Sequence, residues 1–203
     1  MAVVVVGGHT RNIGKTTLAA QILAATQDRH WTAMKITQYG HNVCSANSEA
    51  CDCSDPDHPV AVSEERDAAS GTDTSRMLAA GAERVLWVRT QQGSLVEAMP
   101  RIRKELTLHA NVLLESNSVL RFLKPDVYVA VLQPAVADFK ASALRYLDRA
   151  DALFVPDGTL LDDPAWDGVN AAILRGKPTF PLREEDLDGA ALEWLLDRLA
   201  GLL

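Results

Sequence analysis

Residues 3–17 read Val-Val-Val-Val-Gly-Gly-His-Thr-Arg-Asn-Ile-Gly-Lys-Thr-Thr: an apolar run, a glycine-bearing loop, and a Lys-Thr pair opening an apolar helical stretch. Successive backbone N–H groups in such a loop can wrap an anion, and the helix N-terminus behind it adds a partial positive charge. In that arrangement Lys15 reaches the terminal phosphates of a nucleotide and the Thr16 hydroxyl ligates Mg²⁺. The commoner spacing would put the first loop glycine at position 9, which is His9. Counting from Gly8 instead gives a longer loop, Gly8-x5-Gly14-Lys15-Thr16. The residues expected to touch nucleotide are Gly8, Arg11, Asn12, Ile13, Gly14, Lys15, Thr16 and Thr17.

A nucleotide-bound Mg²⁺ also needs carboxylates, directly or through water, and they normally project from strand ends near the phosphate loop. Residues 111–118, Asn-Val-Leu-Leu-Glu-Ser-Asn-Ser, place Glu115 where an apolar strand turns abruptly polar, which makes it the first candidate. Asn117 and Ser118 either orient a water or substrate or cap a helix starting near Val119. The second candidate is Asp73 in Gly71-Thr-Asp-Thr-Ser-Arg76, where Asp73, Thr74 or Ser75 can cap a short helix and Arg76 can face the same cleft.

A third group of chemically capable residues is His41-x2-Cys44-x6-Cys51-x-Cys53-x4-His58, which holds every cysteine of the chain. An odd number of cysteines packed so closely does not suit a disulfide framework that ties distant segments together. It suits a metal: Cys44, Cys51 and Cys53 with His58, or with His41 in its place, compose a Cys₃His site for Zn²⁺, and a thiolate-ligated Fe–S cluster is the chemical alternative.

The elements that must position these groups alternate. Short apolar runs at 3–6, 33–36, 84–88, 111–114, 127–132, 152–155 and 178–180 are bounded by Gly, Pro, Asp or Asn and read as strands buried on both faces. Helical patterns lie between them at 15–27, 74–80, 95–108, 137–148, 167–175 and 184–202, with Pro100 either kinking the third or marking its first turn. This alternation predicts an α/β fold, a mostly parallel sheet flanked by helices in three αβα layers, as a single domain spanning 1–203. The polar, cysteine-bearing stretch at about 40–70 reads as an insertion in it.

Composition narrows the partners. Lys plus Arg number 20 against 27 Asp plus Glu, a net charge of −7 with no basic run, so a nucleic-acid backbone would be repelled. Aromatic residues are 5% of the chain and the Trp residues are scattered at 31, 87, 166 and 194, which offers no platform for stacked bases. No apolar run approaches the roughly 20 residues of a membrane helix, and residues 2–6 are too short for a signal-peptide core. A cytoplasmic location is the expectation. At the end of the strand at 152–155, Asp157 either accepts from a guanine edge or forms an Asp-Gly turn; there is no Asn-Lys-x-Asp motif, and ATP and GTP both stay open.

The lengthened loop resembles that of dethiobiotin synthetase and the cobyrinic acid amide-forming enzymes, a branch of P-loop NTPases in which many members dimerise around the nucleotide. Thr10 stands where dimerising members often carry a second loop lysine, leaving Arg11 as the neighbouring cation. Over about the first 120 residues the order of motifs also resembles the molybdopterin-guanine dinucleotide biosynthesis adaptor family (MobB type). The shared features are the phosphate loop, a second strand ending in a Lys and followed by a His-containing segment, as in Met34-Lys-Ile-Thr-Gln-Tyr-Gly-His41, the Gly71 to Leu86 stretch, and the strand ending in Glu115. That resemblance implies a nucleotide-binding, slow triphosphate hydrolase, Mg²⁺-dependent through the residues above, that serves a cofactor-biosynthesis enzyme or metalloenzyme client, while the lengthened loop implies a homodimer. The dethiobiotin-synthetase likeness implies instead an ATP-dependent ligase in which Lys35 helps bind a carboxylate or carbamate. A third reading is a non-catalytic metal-binding adaptor switched by its nucleotide.

The cysteine spacing makes a direct prediction. Protein purified without oxygen should carry about one Zn²⁺, or one Fe–S cluster, per chain or per dimer, and a Cys51→Ser/Cys53→Ser double variant should lose it. Elemental analysis showing equal, metal-free preparations would leave the cysteines as ordinary thiols.

Overall fold

The computed structural model describes residues 1–39, 59–159, 161, 166 and 168–201. Cys44, Cys51, Cys53, His41 and His58 lie outside these residues. The chain runs β1 (Ala2–Gly8), α1 (Lys15–Ala25), β2 (Thr32–Tyr39), β3 (Val60–Glu65), α2 (Asp73–Ala79), β4 (Arg84–Gln91), α3 (Leu95–Leu108), β5 (Asn111–Glu115), β6 (Val127–Val131), α4 (Ala141–Leu144), β7 (Ala152–Pro156), β8 (Thr179–Leu182) and α5 (Gly189–Ala200). One eight-stranded sheet results, ordered β3-β4-β2-β5-β1-β6-β7-β8. Every pairing is parallel except β3 with β4.

The valines of β1 show why a continuous apolar run is needed. Alternate side chains leave opposite faces of a strand, and parallel sheets are covered on both. Val3 and Val5 enter one core with Met34, Leu86, Leu114 and the buried face of α3, Met99 and Ile102. Val4 and Val6 enter the other with Leu18 and Ile22 of α1, Met77 of α2, Leu113, and Leu195 and Leu199 of α5. Burying each such aliphatic side chain is worth about 1.5–3 kcal/mol, so the two cores hold the three layers together. The three-layer α/β architecture expected from the alternation is the one observed.

Several boundaries differ from the sequence expectation, each for a local reason. The helix expected at 15–27 stops at Ala25, because Thr26 leaves the helical region and its hydroxyl donates to Ile22 O at 2.6 Å; a single 3₁₀ turn, Gln27–Arg29, follows. The helix expected at 184–202 begins only at Gly189, where the Asp188 carboxylate accepts from the N–H groups of Ala190 and Ala191 and fixes the start. The helix expected at 137–148 shrinks to α4 and a 3₁₀ turn, Leu147–Arg149, since the backbone at Asp138 and Lys140 is engaged by His9 instead. At 167–175 the described residues form one 3₁₀ turn, Ala171–Ile173. Gly168 there has φ 74° and the Asn170 side chain takes the Ala172 N–H. The helix expected near Val119 is a 3₁₀ turn, Ser118–Arg121. Pro100 lies inside an unbroken α3.

The largest omission is β3, inside the stretch read as an insertion without periodicity. It is an edge strand, antiparallel to β4, whose Val60 and Val62 are only partly buried against the core while Ser63 and Glu64 face solvent. Among the described residues no helix is long and apolar enough to cross a membrane.

Candidate phosphate-binding site

Strand register builds this site. In parallel pairing, Glu115 stands opposite Val6 on one side and opposite Lys35 on the other. Paired residues share a face of the sheet, and Val6 belongs to the face covered by α1. Glu115 and Lys35 therefore project together beneath the first turn of α1. Lys35 Nζ lies 2.9 Å from Glu115 Oε1, and the Thr16 hydroxyl donates to Glu115 Oε2 at 2.8 Å. Glu115 is only 5% exposed, and a carboxylate so buried needs these partners.

Asp73 completes the cluster, 2.6 Å from Lys35 Nζ through Oδ2. Thr72, not Asp73, Thr74 or Ser75, caps α2: its hydroxyl oxygen accepts from the Ser75 N–H. That frees Asp73, the first residue of the helix, to face Lys35. The hydroxyls of Thr72 and Thr74 donate to Glu65 at the end of β3, at 2.9 and 2.8 Å, and Thr74 together with the backbone at Asp67 holds the Glu65 carboxyl below the usual range. The unexpected strand thus seats the helix that delivers Asp73. From the same helix Arg76 donates to the Thr17 hydroxyl at 3.0 Å.

The loop between β1 and α1 is anchored at its entry by side chains far away in sequence. Asn117 Oδ1 accepts from Gly8 N at 2.9 Å, and Asn117 Nδ2 donates to Gly8 O at 2.6 Å. Asn117 neither caps its own turn nor waits for a water; it clamps the loop. Gly8 consequently spends its N–H on Asn117 and lines no part of the cavity, unlike Arg11 to Thr17. A Cβ on Gly8 would come within 2.9 Å of Ile13 and Lys15, and one on Gly7 would overlap Asn117. Further along, Asn12 and Gly14 adopt φ of 55° and 95°, the left-handed turns that curl the loop back over α1.

His9, at the place of the expected glycine, is fully buried. Its Nδ1 lies 2.8 Å from Asp138 O, which can only accept, and its Nε2 receives the Gln133 N–H at 3.0 Å. The ring is therefore the neutral Nδ1–H tautomer. Phe139 and Trp166 pack on it with centroids 5.1 Å away. Burial pushes its pKa below the ordinary histidine value, with the Lys15 charge adding to the effect, against the hydrogen bond to Asp138.

These elements enclose a cavity of about 1100 Å³ at the C-terminal ends of the central strands. β1 lies there with β5 on one side and β6 on the other, the crevice where open α/β sheets bind ligands. Among the described residues five cations line the cavity, Arg11, Lys15, Lys35, Arg76 and Lys140, against two carboxylates, Asp73 and Glu115. The first turn of α1 carries no acidic residue. Lys15 donates to Thr10 O, and its pKa is lowered to about 8 by burial, with Lys140 and Lys35 adding repulsion that Glu115 and Asp73 only partly offset. Burial works against the charge of Lys35 too, but there Glu115 and Asp73 prevail and its pKa is raised.

Of the residues singled out in the sequence, Arg11 to Thr17, Asp73 and Glu115 come together in this cavity. Asp157 does not: its carboxylate accepts from the Gly158 N–H and pairs with Arg183 at 3.3 Å, the Asp-Gly turn. Nothing local marks Asn117 as a clamp or brings Lys140 to the loop; both act across the sheet. Among the described residues no group of three or more His, Cys, Asp or Glu could hold a metal.

No family model matches the chain, and no curated protein does. Among solved structures, LpxK from Aquifex aeolicus, in a crystal structure described as an "apo" form in complex with ATP, is similar with a TM-score of 0.44 and 16% identity. The match covers 89% of this chain and 53% of that one, so the chain spans about half of its length. The MobB-type resemblance stands on its motifs alone.

The buried ring gives a pH prediction. A histidine whose folded pKa lies below its unfolded value of about 6.5 contributes stability that is complete above that pH and is lost as pH falls toward the folded value. Urea midpoints of the protein should therefore drop on acidification from pH 7 to 5 more steeply than those of His9→Gln. Superimposable profiles would show that His9 does not titrate in that window.

Proposed function

We propose that this protein binds a nucleoside triphosphate with Mg²⁺ and hydrolyses it slowly. The observation that carries the reading is the convergence, in one cavity with a surplus of cations, of a glycine-turned loop at a helix N-terminus with Lys15, and of Thr16 joined to Glu115. Five positive groups beside two negative ones among the described lining residues suit a polyphosphate. A loop turned by Asn12 and Gly14 onto a helix whose first turn carries no acidic residue suits it further.

The donor set can be tested against Mg²⁺. Thr16 Oγ1, Glu115 Oε1 and Asp73 Oδ2 surround a single cation, the Lys35 ammonium, at 3.3, 2.9 and 2.6 Å. One hydroxyl and two carboxylates around a positive centre are the hard-oxygen donors that Mg²⁺ takes, usually through several of its own waters. The residues fit. Thr16 would hold the ion, with Glu115 or Asp73 acting through water, and the ion would neutralise charge between the outer phosphates. Lys15, its burial penalty relieved by the incoming anion, would carry the contact to those phosphates. Lys35 keeps the two carboxylates in place beneath the loop.

The motif resemblance sets this activity in metal-cofactor biosynthesis of the molybdopterin type, with a homodimer and a client enzyme. The ligase alternative asks Lys35 to hold a substrate carboxylate. That ammonium already lies between two carboxylates of the chain itself, which favours the hydrolase.

Two variants test the reading. Lys15→Ala removes a charge-assisted contact and should weaken Mg²⁺-ATP and Mg²⁺-GTP binding in calorimetry by at least about tenfold, with the circular dichroism spectrum unchanged. Unaltered affinity would overturn the assignment. Glu115→Gln should lower phosphate release well beyond any loss in affinity, because the carboxylate serves the ion and its water while the loop holds the phosphates. Normal Mg²⁺-dependent turnover in that variant would pass the role to Asp73.

A further inference from the structure

Lys140 lies across the loop from Lys35: it follows β6, on the far side of β1 from β5 and β2. Its position is not that of a free surface lysine. The Lys140 N–H donates to His9 O at 2.9 Å, His9 in turn grips Asp138 O and Gln133 N, and the Thr10 hydroxyl donates to the Asp138 carboxylate. Four hydrogen bonds thus lace residues 133–140 to the first residues of the phosphate loop and bring the Lys140 side chain to the cavity wall beside Arg11.

Among the described residues no ion pair neutralises either charge, and Asp138 only partly offsets that of Lys140. Among the described residues neither Lys140 nor Arg11 has a carboxylate within ion-pair distance, whereas Lys35 has two. The nearest acid, Asp138, already receives Thr10. Burial lowers the Lys140 pKa, and the charge of Arg11 lowers it further. Two like charges brought near one another on the wall of one cavity favour a negative group close to both. Thr16 is buried and Lys15 is more deeply buried than Lys140, so a phosphate chain held by the loop would meet Lys140 with its outermost group.

We infer that Lys140, with Arg11 beside it, binds the terminal phosphoryl group of the nucleoside triphosphate and so distinguishes triphosphate from diphosphate. The inference rests on the nucleotide-binding reading given above and assigns a residue to that site which no motif in the chain predicts.

Calorimetry with Mg²⁺-ATP and Mg²⁺-ADP, and with the guanine pair, separates the two levels. Lys140→Met leaves the backbone bond to His9 in place. It should lose about tenfold or more in triphosphate affinity, the worth of one charge-assisted contact, while diphosphate affinity stays within about twofold. Lys140→Arg, which keeps the charge, should recover most of the triphosphate affinity. Equal losses for diphosphate and triphosphate would reduce Lys140 to a general contributor of charge or a prop for the loop, and no loss at all would remove it from the site; either result overturns the inference. If the unaltered protein binds none of the four nucleotides, the nucleotide reading falls and this one with it. Binding that Lys15→Ala weakens for both phosphate states, but Lys140→Met for neither, would leave the first standing and sink only the second.

Discussion

The site depends on a register. Because side chains alternate along a strand, sliding β5 by one residue against β1 and β2 would turn Glu115 into the other core and present Leu114 to the phosphate loop. Val6, Glu115 and Lys35 fall in one row only because Val4 and Leu113 fall in the row below, facing α1, while Val3, Val5 and Leu114 fill the opposite core. The hydrophobic pattern of three strands thereby fixes where one carboxylate and one ammonium meet. Misplacing either would leave a buried charge without its partner, a cost of several kcal/mol that works against any slipped pairing.

Around that fixed row the loop is held from two directions. Asn117, two residues past Glu115 on the same chain segment, ties the loop after β1 to the end of β5; His9 ties it to the segment after β6. The longer loop has room for a residue where shorter ones carry glycine, and a neutral, fully paired imidazole occupies it. The backbone bonds that His9 takes from residues 133–140 are also the reason α4 begins late. A local irregularity and an anchored loop are two sides of one set of hydrogen bonds.

Much of this was legible from residue patterns. Runs of β-branched residues between glycines and prolines gave seven of the strands, since a strand buried on both faces has little choice of composition, and the Gly-Lys-Thr context located the cavity because its geometry is local. What escaped was whatever depends on partners distant in sequence. Strand β3 is a half-buried edge ending in Ser-Glu-Glu, so its alternation is weak, yet it supplies Glu65, which seats α2 and Asp73. Helix lengths were overestimated wherever Asp188, Thr26 or His9 offered the backbone a competing hydrogen bond. Asn117 sits in a sequence that reads equally well as a cap, and only the sheet shows Gly8 beside it.

The arrangement of charge also shapes how a ligand arrives. A chain of net charge −7 gathers, among its described residues, five cations and two acids around one cavity, a local excess of positive charge on an acidic molecule. Such an excess would guide the polyanion proposed above toward that end of the sheet before any contact forms, and salt would screen it over a Debye length of about 8 Å near physiological ionic strength. The mutual repulsion of Lys15, Lys140 and Arg11 is screened by the same ions. Added salt should therefore steady the empty loop while slowing capture, which makes the cavity a place where tolerance of vacancy and speed of filling trade against each other.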